Sequence, residues 1–201
     1  MTARPGSRGP RGRLRRGAAA LALLAAGCAA PGSGHEPLLR IGFVPEAVGL
    51  EAPAAEYTAI WRADGDRIVR AMEAHTGLVF EPGPIEAIVF EGVSTSGFHE
   101  VPMRLRGSYP KDTKRATLIH ELGHRLLGEV VPRDFEDHPV LFLFLYDVWV
   151  ELYGRAFADA QVAVESERRG IYDYEAAWRD ALALTAEERA AALQACLRER
   201  P

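Results

Sequence analysis

The chain is expected to fold as an α+β domain with a short mixed sheet, an edge strand just ahead of a central helix, and a helical C-terminal half. Three features of the sequence point there. The β-rich stretches are short and all lie before residue 106. Helical periodicity with start and stop signals governs residues 54–75 and most of the chain beyond residue 110. The continuous apolar run Val140 to Leu145 lies inside a helix whose apolar stretch, about twelve residues, is too short to cross a bilayer, so it is expected to be buried.

Residues 1–27 stand apart from that domain. Six arginines between Arg4 and Arg16 precede the apolar run Ala18 to Ala26, the layout of a secretory signal. Its end, Leu24-Ala25-Ala26-Gly27-Cys28, resembles a bacterial lipobox, which implies lipidation of Cys28 as the first residue of the mature protein. Acyl chains on Cys28 would hold the protein at a membrane surface without a spanning helix, placing it in the bacterial cell envelope. The segment 28–37 is small and flexible, as a tether should be, and 38–201 forms a single domain. Removing the signal leaves 174 residues, ample for one core. The six arginines leave with it, so 24 basic residues become 18 against 28 acidic ones. That acidic balance, with no basic stripe, excludes nucleic acid as an expected partner. With Cys28 lipidated, Cys196 has no partner and is expected to be a buried thiol beside Leu193 and Leu197.

Taken in order, Leu38 to Val44 reads as a first strand. Ala54 to His75 reads as an amphipathic helix closed by Gly77, and Ile85 to Phe90 as a second strand. After the Gly/Ser-rich turn at residues 92–97, Phe98 to Leu105 alternates as an extended strand, and Pro102, lacking a donor, assigns it to an edge. A helix capped by Asp112 or Thr113 then runs to Gly128, with Leu118, Leu122 and Leu126 on its core side. Gly123 within it suggests a close approach by a neighbour. Beyond a charged loop, His138-Pro139 opens a helix through about Arg168. Two more helices come after it, 172–184 and 187–199, the second opened by a Thr185/Glu188 capping box.

Chemistry concentrates in His120-Glu121-Leu122-Gly123-His124. Four residues make about one helical turn, so the two imidazoles share a face and can take adjacent corners of a tetrahedral zinc site. Glu121 lies beside them, able to reach a water at the metal without being a ligand. A site built only for structure has no need of such a base.

This stretch resembles the zincin metallopeptidases, with Thr117, Leu118, Leu122, Gly123 and Leu126 matching the extended pattern around the motif, while Arg125 stands where that family prefers an uncharged residue. The resemblance implies one Zn²⁺ per chain, a peptide or protein substrate, and a peptide docked by strand addition on the edge strand before the metal helix. It leaves two candidates for the third ligand. His138, opening the next helix with Phe142 four residues on, is similar to the SprT-like group. Glu151, with Asp147 one turn before it, is similar to the glutamate zincins. Along one helix the two side chains would lie about 20 Å apart, so a single ion cannot use both. His138 is preferred because imidazole suits zinc and Glu151 has an expected i,i+4 partner in Arg155. Asp147, polar within an apolar helix, could then accept the outer N–H of a ligand imidazole. The implied reaction is peptide-bond hydrolysis by a metal-activated water, with Glu121 as general base. The alternative is a non-catalytic metal-binding or interaction lipoprotein on the same scaffold.

Overall fold

The computed structural model describes residues 39–128, 130, 137–169 and 172–198. The signal, Cys28 and the tether lie outside the described residues. Three strands, β1 (Arg40–Pro45), β2 (Pro84–Phe90) and β3 (Met103–Arg106), form one sheet in the order β1-β2-β3. Both pairs are parallel, with Phe43 opposite Ala87 and Ala87 opposite Met103, so the described sheet is parallel and not mixed. The reason lies in the connections. Helix α1 (Glu51–Thr76) supplies the crossover that a parallel β1/β2 pair requires. Alternating small and branched residues on β2 and β3 (Ala87, Val89, Met103, Leu105) face the core and are essentially inaccessible.

β3 is shorter than the expected strand over 98–105 because the chain before it curls. Val101 N–H donates to the Phe98 carbonyl, and Gly97 and His99 both take positive φ, 56° and 49°. Residues 94–96 then turn back along the outer side of β3. Thr95 and Arg104 exchange N–H···O bonds of 2.9 and 2.8 Å in an antiparallel bridge, and Arg106 N–H donates to Ser94 Oγ. The edge predicted from Pro102 is therefore an edge of the sheet, but the chain itself closes it.

The helices complete the domain. α1 buries Tyr57, Ile60, Ile68, Val69 and Met72 and ends where Gly77, at φ 74°, closes the last turn onto the Glu73 carbonyl. α2 (Lys111–Leu127) buries Leu118, Leu122 and Leu126 as their spacing requires. Its N-cap is Pro110 rather than Asp112 or Thr113; Asp112 instead accepts from the Arg115 guanidinium at 2.8 Å. At the other end Gly128 keeps a right-handed φ of −59°, so it is not a left-handed stop. A side chain there would meet the Phe98 ring at 2.2 Å, which is the reason for a glycine at that place. Gly123 answers a similar demand, since a Cβ would lie 2.3 Å from Leu141 Cδ1 of the next helix.

That next helix, α3 (His138–Tyr153), with Pro139 in its first turn, is the centre of the domain and packs against α1, α2 and the remaining helices. The expected single helix to Arg168 is broken at Gly154, whose φ 86° and ψ 162° suit glycine alone. Gly154 caps both neighbours: its N–H closes α3 on the Val150 carbonyl, and its carbonyl opens α4 (Arg155–Ser166) by accepting from Ala158. α4 folds back on α3, with the Tyr146 hydroxyl donating to Asp159 at 2.7 Å. An unbroken helix would have carried Glu165 about 40 Å along the axis from His138. α5 (Tyr174–Leu182) and α6 (Ala186–Arg198) finish the chain. The Thr185/Glu188 capping box forms in both directions, at 2.8 and 3.2 Å. Cys196 is free and partly buried, packed against the core with Leu197.

Candidate metal centre

α2 turns His120 and His124 to one side, and the first residue of α3 brings His138 against them. The Nε2 atoms of His120 and His124 stand 3.0 Å apart, and the His138 ring centroid lies 5.4 and 4.7 Å from the other two. One nitrogen from each of the three falls within 4.8 Å of the others, close enough to bind a metal ion. Adjacent nitrogens of a tetrahedral zinc site stand about 3.3 Å apart, given Zn–N bonds of about 2.0–2.1 Å.

The outer nitrogens tell which way the rings are polarised. His124 Nδ1 lies 2.7 Å from Asp137 Oδ2, and His120 Nδ1 lies 2.9 Å from Glu165 Oε1, close but off the line of a straight hydrogen bond. Carboxylates at both Nδ1 atoms draw the ring protons there. Two Nε2 lone pairs are then left facing each other at 3.0 Å, an arrangement that calls for a shared proton or a cation between them. His138 is flanked by Tyr174, whose hydroxyl lies 3.1 Å from Nε2, and by the ring of Tyr172, stacked at 4.4 Å. Its Nδ1 is 3.9 Å from the other oxygen of Asp137, near enough to feel that charge but too far for a hydrogen bond.

Burial sets the charge states. It holds His120 down to about 4 against the opposing pull of Glu165, so His120 is neutral at pH 7. Burial also works against charge on His124, but the hydrogen bond it donates to Asp137 and the nearby carboxylates carry its pKa above the usual histidine value. Glu121, only 4% exposed, is pushed up to about 7 by burial, against the pull of His124 and Arg168. Glu165, buried as deeply, stays below the usual carboxylate value. Burial raises it, but His120, Arg168 and the Trp178 indole more than offset that.

The other candidates lie elsewhere. Glu151 is exposed and accepts from His75 Nε2 at 2.9 Å, rather than pairing with Arg155. Asp147, expected beside an imidazole, is taken by Arg189 of α6 in a two-point clasp at 2.9 and 2.6 Å. The Tyr153 hydroxyl goes to Asp64. Arg125, beside the motif, donates to the Ser96 carbonyl and so ties the turn covering β3 to the metal helix.

Asp137, Glu165, Arg168, Tyr172 and Tyr174 are the neighbours that sequence reasoning did not find. A signal for Glu165 existed: Ala158, Gln161 and Glu165 recur at helical spacing on the buried side of α4, so two polar groups sit where apolar ones belong. No family model, no curated protein and no solved structure matches this chain.

Proposed function

We propose that this chain is a zinc-dependent peptide-bond hydrolase of zincin type, anchored in the bacterial cell envelope through Cys28. His120, His124 and His138 hold the ion, and Glu121 is the general base. The observation that carries this reading is the convergence of three imidazoles, two with a carboxylate at the outer nitrogen, beside a buried glutamate on the same helix. An all-imidazole set with bracing carboxylates suits zinc. Held by these three imidazoles, a zinc ion would supply Lewis acidity for hydrolysis. Glu121 would be the group that holds a proton taken from the attacking water and returns it to the leaving amine. Burial raises its pKa, which favours its holding a proton. Tyr174, with its hydroxyl beside His138, is placed to donate to a substrate oxygen. Glu151, exposed and paired with His75, is left out of the ligand set.

A second reading, a non-catalytic metal-binding lipoprotein, draws on the closed edge of β3, the strand before α2, whose outer side is already paired with Thr95. Glu121→Gln separates the two. On the enzymatic reading it keeps its zinc and loses hydrolysis of peptides by about 100-fold or more. An unmutated, zinc-loaded protein that cleaves nothing in a broad peptide panel would move the assignment to the second reading.

A further inference from the structure

Glu165 is only 1% exposed, and three polar groups surround its carboxylate, Oε2 in a hydrogen bond and Oε1 in close ionic contacts without one. Oε1 lies 2.9 Å from His120 Nδ1 and 3.3 Å from the Arg168 guanidinium, while Oε2 accepts from Trp178 Nε1 at 3.1 Å. A carboxylate this deep persists only where it is paired and hydrogen-bonded. Trp178 satisfies Oε2, whereas Oε1 has the Arg168 charge beside it and the His120 ring nitrogen nearest to it, with no straight hydrogen bond to either. Its approach to His120 is the contact that a purely structural role does not require.

The tryptophan is itself fixed. Its ring stacks on Phe142 of α3 at 3.9 Å and 9°, and packs beside Trp149 at 5.5 Å. Phe142 in turn lies against the rings of both His120 and His138. The carboxylate is thus held by a rigid aromatic wall, and it cannot swing away from the imidazole without giving up the indole. A carboxylate held at Nδ1 keeps the ring proton on that side, fixes the ring's rotation and leaves the Nε2 lone pair aimed at the cluster.

We propose that Glu165 is the positioning residue of the metal centre, presenting His120 Nε2 to the ion, and that Trp178 braces Glu165 so that α4 and α5 belong to the site. This rests on the reading of His120 as a ligand. The two outer carboxylates then divide the work. Asp137, at the start of α3, serves His124, and Glu165, reaching back from the end of α4, serves His120.

The test is zinc affinity of the folded protein, measured by competition with a chromophoric chelator. Glu165→Gln keeps the side chain's size and an acceptor for Trp178 but removes the charge. It should weaken zinc binding by about 10–100-fold and alter the visible spectrum of the cobalt-loaded protein. Trp178→Phe keeps the stack on Phe142 and loses only the indole donor, so its affinity should fall toward the smaller end of that range, about tenfold. Asp147→Asn, which weakens the clasp with Arg189 away from the imidazoles, should lower the melting temperature and leave zinc affinity as it was. Wild-type affinity in Glu165→Gln, with His120→Ala empty, would overturn the proposal and leave the metal reading standing. If Glu165→Gln does not fold, an unchanged affinity in Trp178→Phe overturns it in the same way. No zinc bound by the unmutated protein would end both readings together.

Discussion

Gly154→Ala should destabilise the domain by about 1–2 kcal/mol. In the structure Gly154 holds φ 86° and ψ 162°, a region that costs an L-residue about 1–3 kcal/mol. An added Cβ meets no atom within 4 Å, so the whole cost is backbone strain and none is collision. Against it stands the lower entropy of an unfolded chain with alanine, about 0.4–1 kcal/mol. For a domain of this size each kcal/mol moves the melting temperature by about 2–4 °C, so calorimetry should show a fall of about 2–8 °C. A comparison with Gly77 sharpens the test. Gly77, at φ 74° and ψ 4°, is in the left-handed region that asparagine tolerates, whereas Gly154 is not. Asparagine should therefore be milder than alanine at 77 and no milder than alanine at 154. A Gly154→Ala protein melting at or above the wild-type temperature would refute the reasoning, and with it the account of why α3 and α4 are two helices.

Purified residues 29–201 should carry close to one zinc per chain by metal analysis. His120→Ala, His124→Ala and His138→Ala should each empty the site, whereas Glu151→Ala should keep full zinc; the reverse pattern for 138 and 151 would transfer the third ligand to Glu151. Cys28→Ser should release the protein from the membrane fraction or block its processing, and unchanged membrane association with normal cleavage would count against a lipid anchor at that cysteine. The Glu188 carboxyl is held below its usual value by the backbone N–H and then the hydroxyl of Thr185. Its stabilising effect is therefore complete above the unfolded value near 4.5 and is lost as the pH falls through the lower folded value. Melting curves between about pH 6 and about pH 3 should accordingly show a smaller acid-induced drop in Glu188→Gln than in wild type, and equal drops would dissolve the capping argument.

Local signals and long-range partners differ in how far they can be read. The turn of α1 at Gly77, the Thr185/Glu188 box and the buried stripe of α2 are decided by neighbours within a few residues, and each is legible from spacing alone. The His120/His124 pair belongs to the same class. Asp147 shows the opposite case. A lone carboxylate in an apolar helix must have a partner, and it has one, but the partner is Arg189, 42 residues on. Nothing local can choose between that arginine and an imidazole. The break at Gly154 is hidden because the apolar residues run on through it, and one glycine in a helical pattern is ordinarily tolerated. Missing that break also hides Glu165, since only a reversal of direction returns it to His120. The parallel pairing of β2 and β3 is hidden from the sequence for a related reason: the connection between them contains no helix, and only the structure reveals that it runs back along the outside of β3.

That outer turn at Ser94 and Thr95 also sets a population. Any peptide that pairs with β3 must first find the turn lifted, and lifting it breaks the two backbone hydrogen bonds between Thr95 and Arg104, the Arg106 bond to Ser94 and the Arg125 bond to Ser96, each worth about 1 kcal/mol net. A cost of about 4 kcal/mol leaves roughly one molecule in a thousand open, and the apparent affinity for such a peptide falls by the same factor. Tighter binding then results from anything that loosens the turn, the Arg125 tie to Ser96 being the nearest point of attack. The exchange rate of the Arg104 amide proton measures the open fraction directly, and an amide as slow as those in the core of α3 would mean that the turn stays shut and that no peptide joins β3.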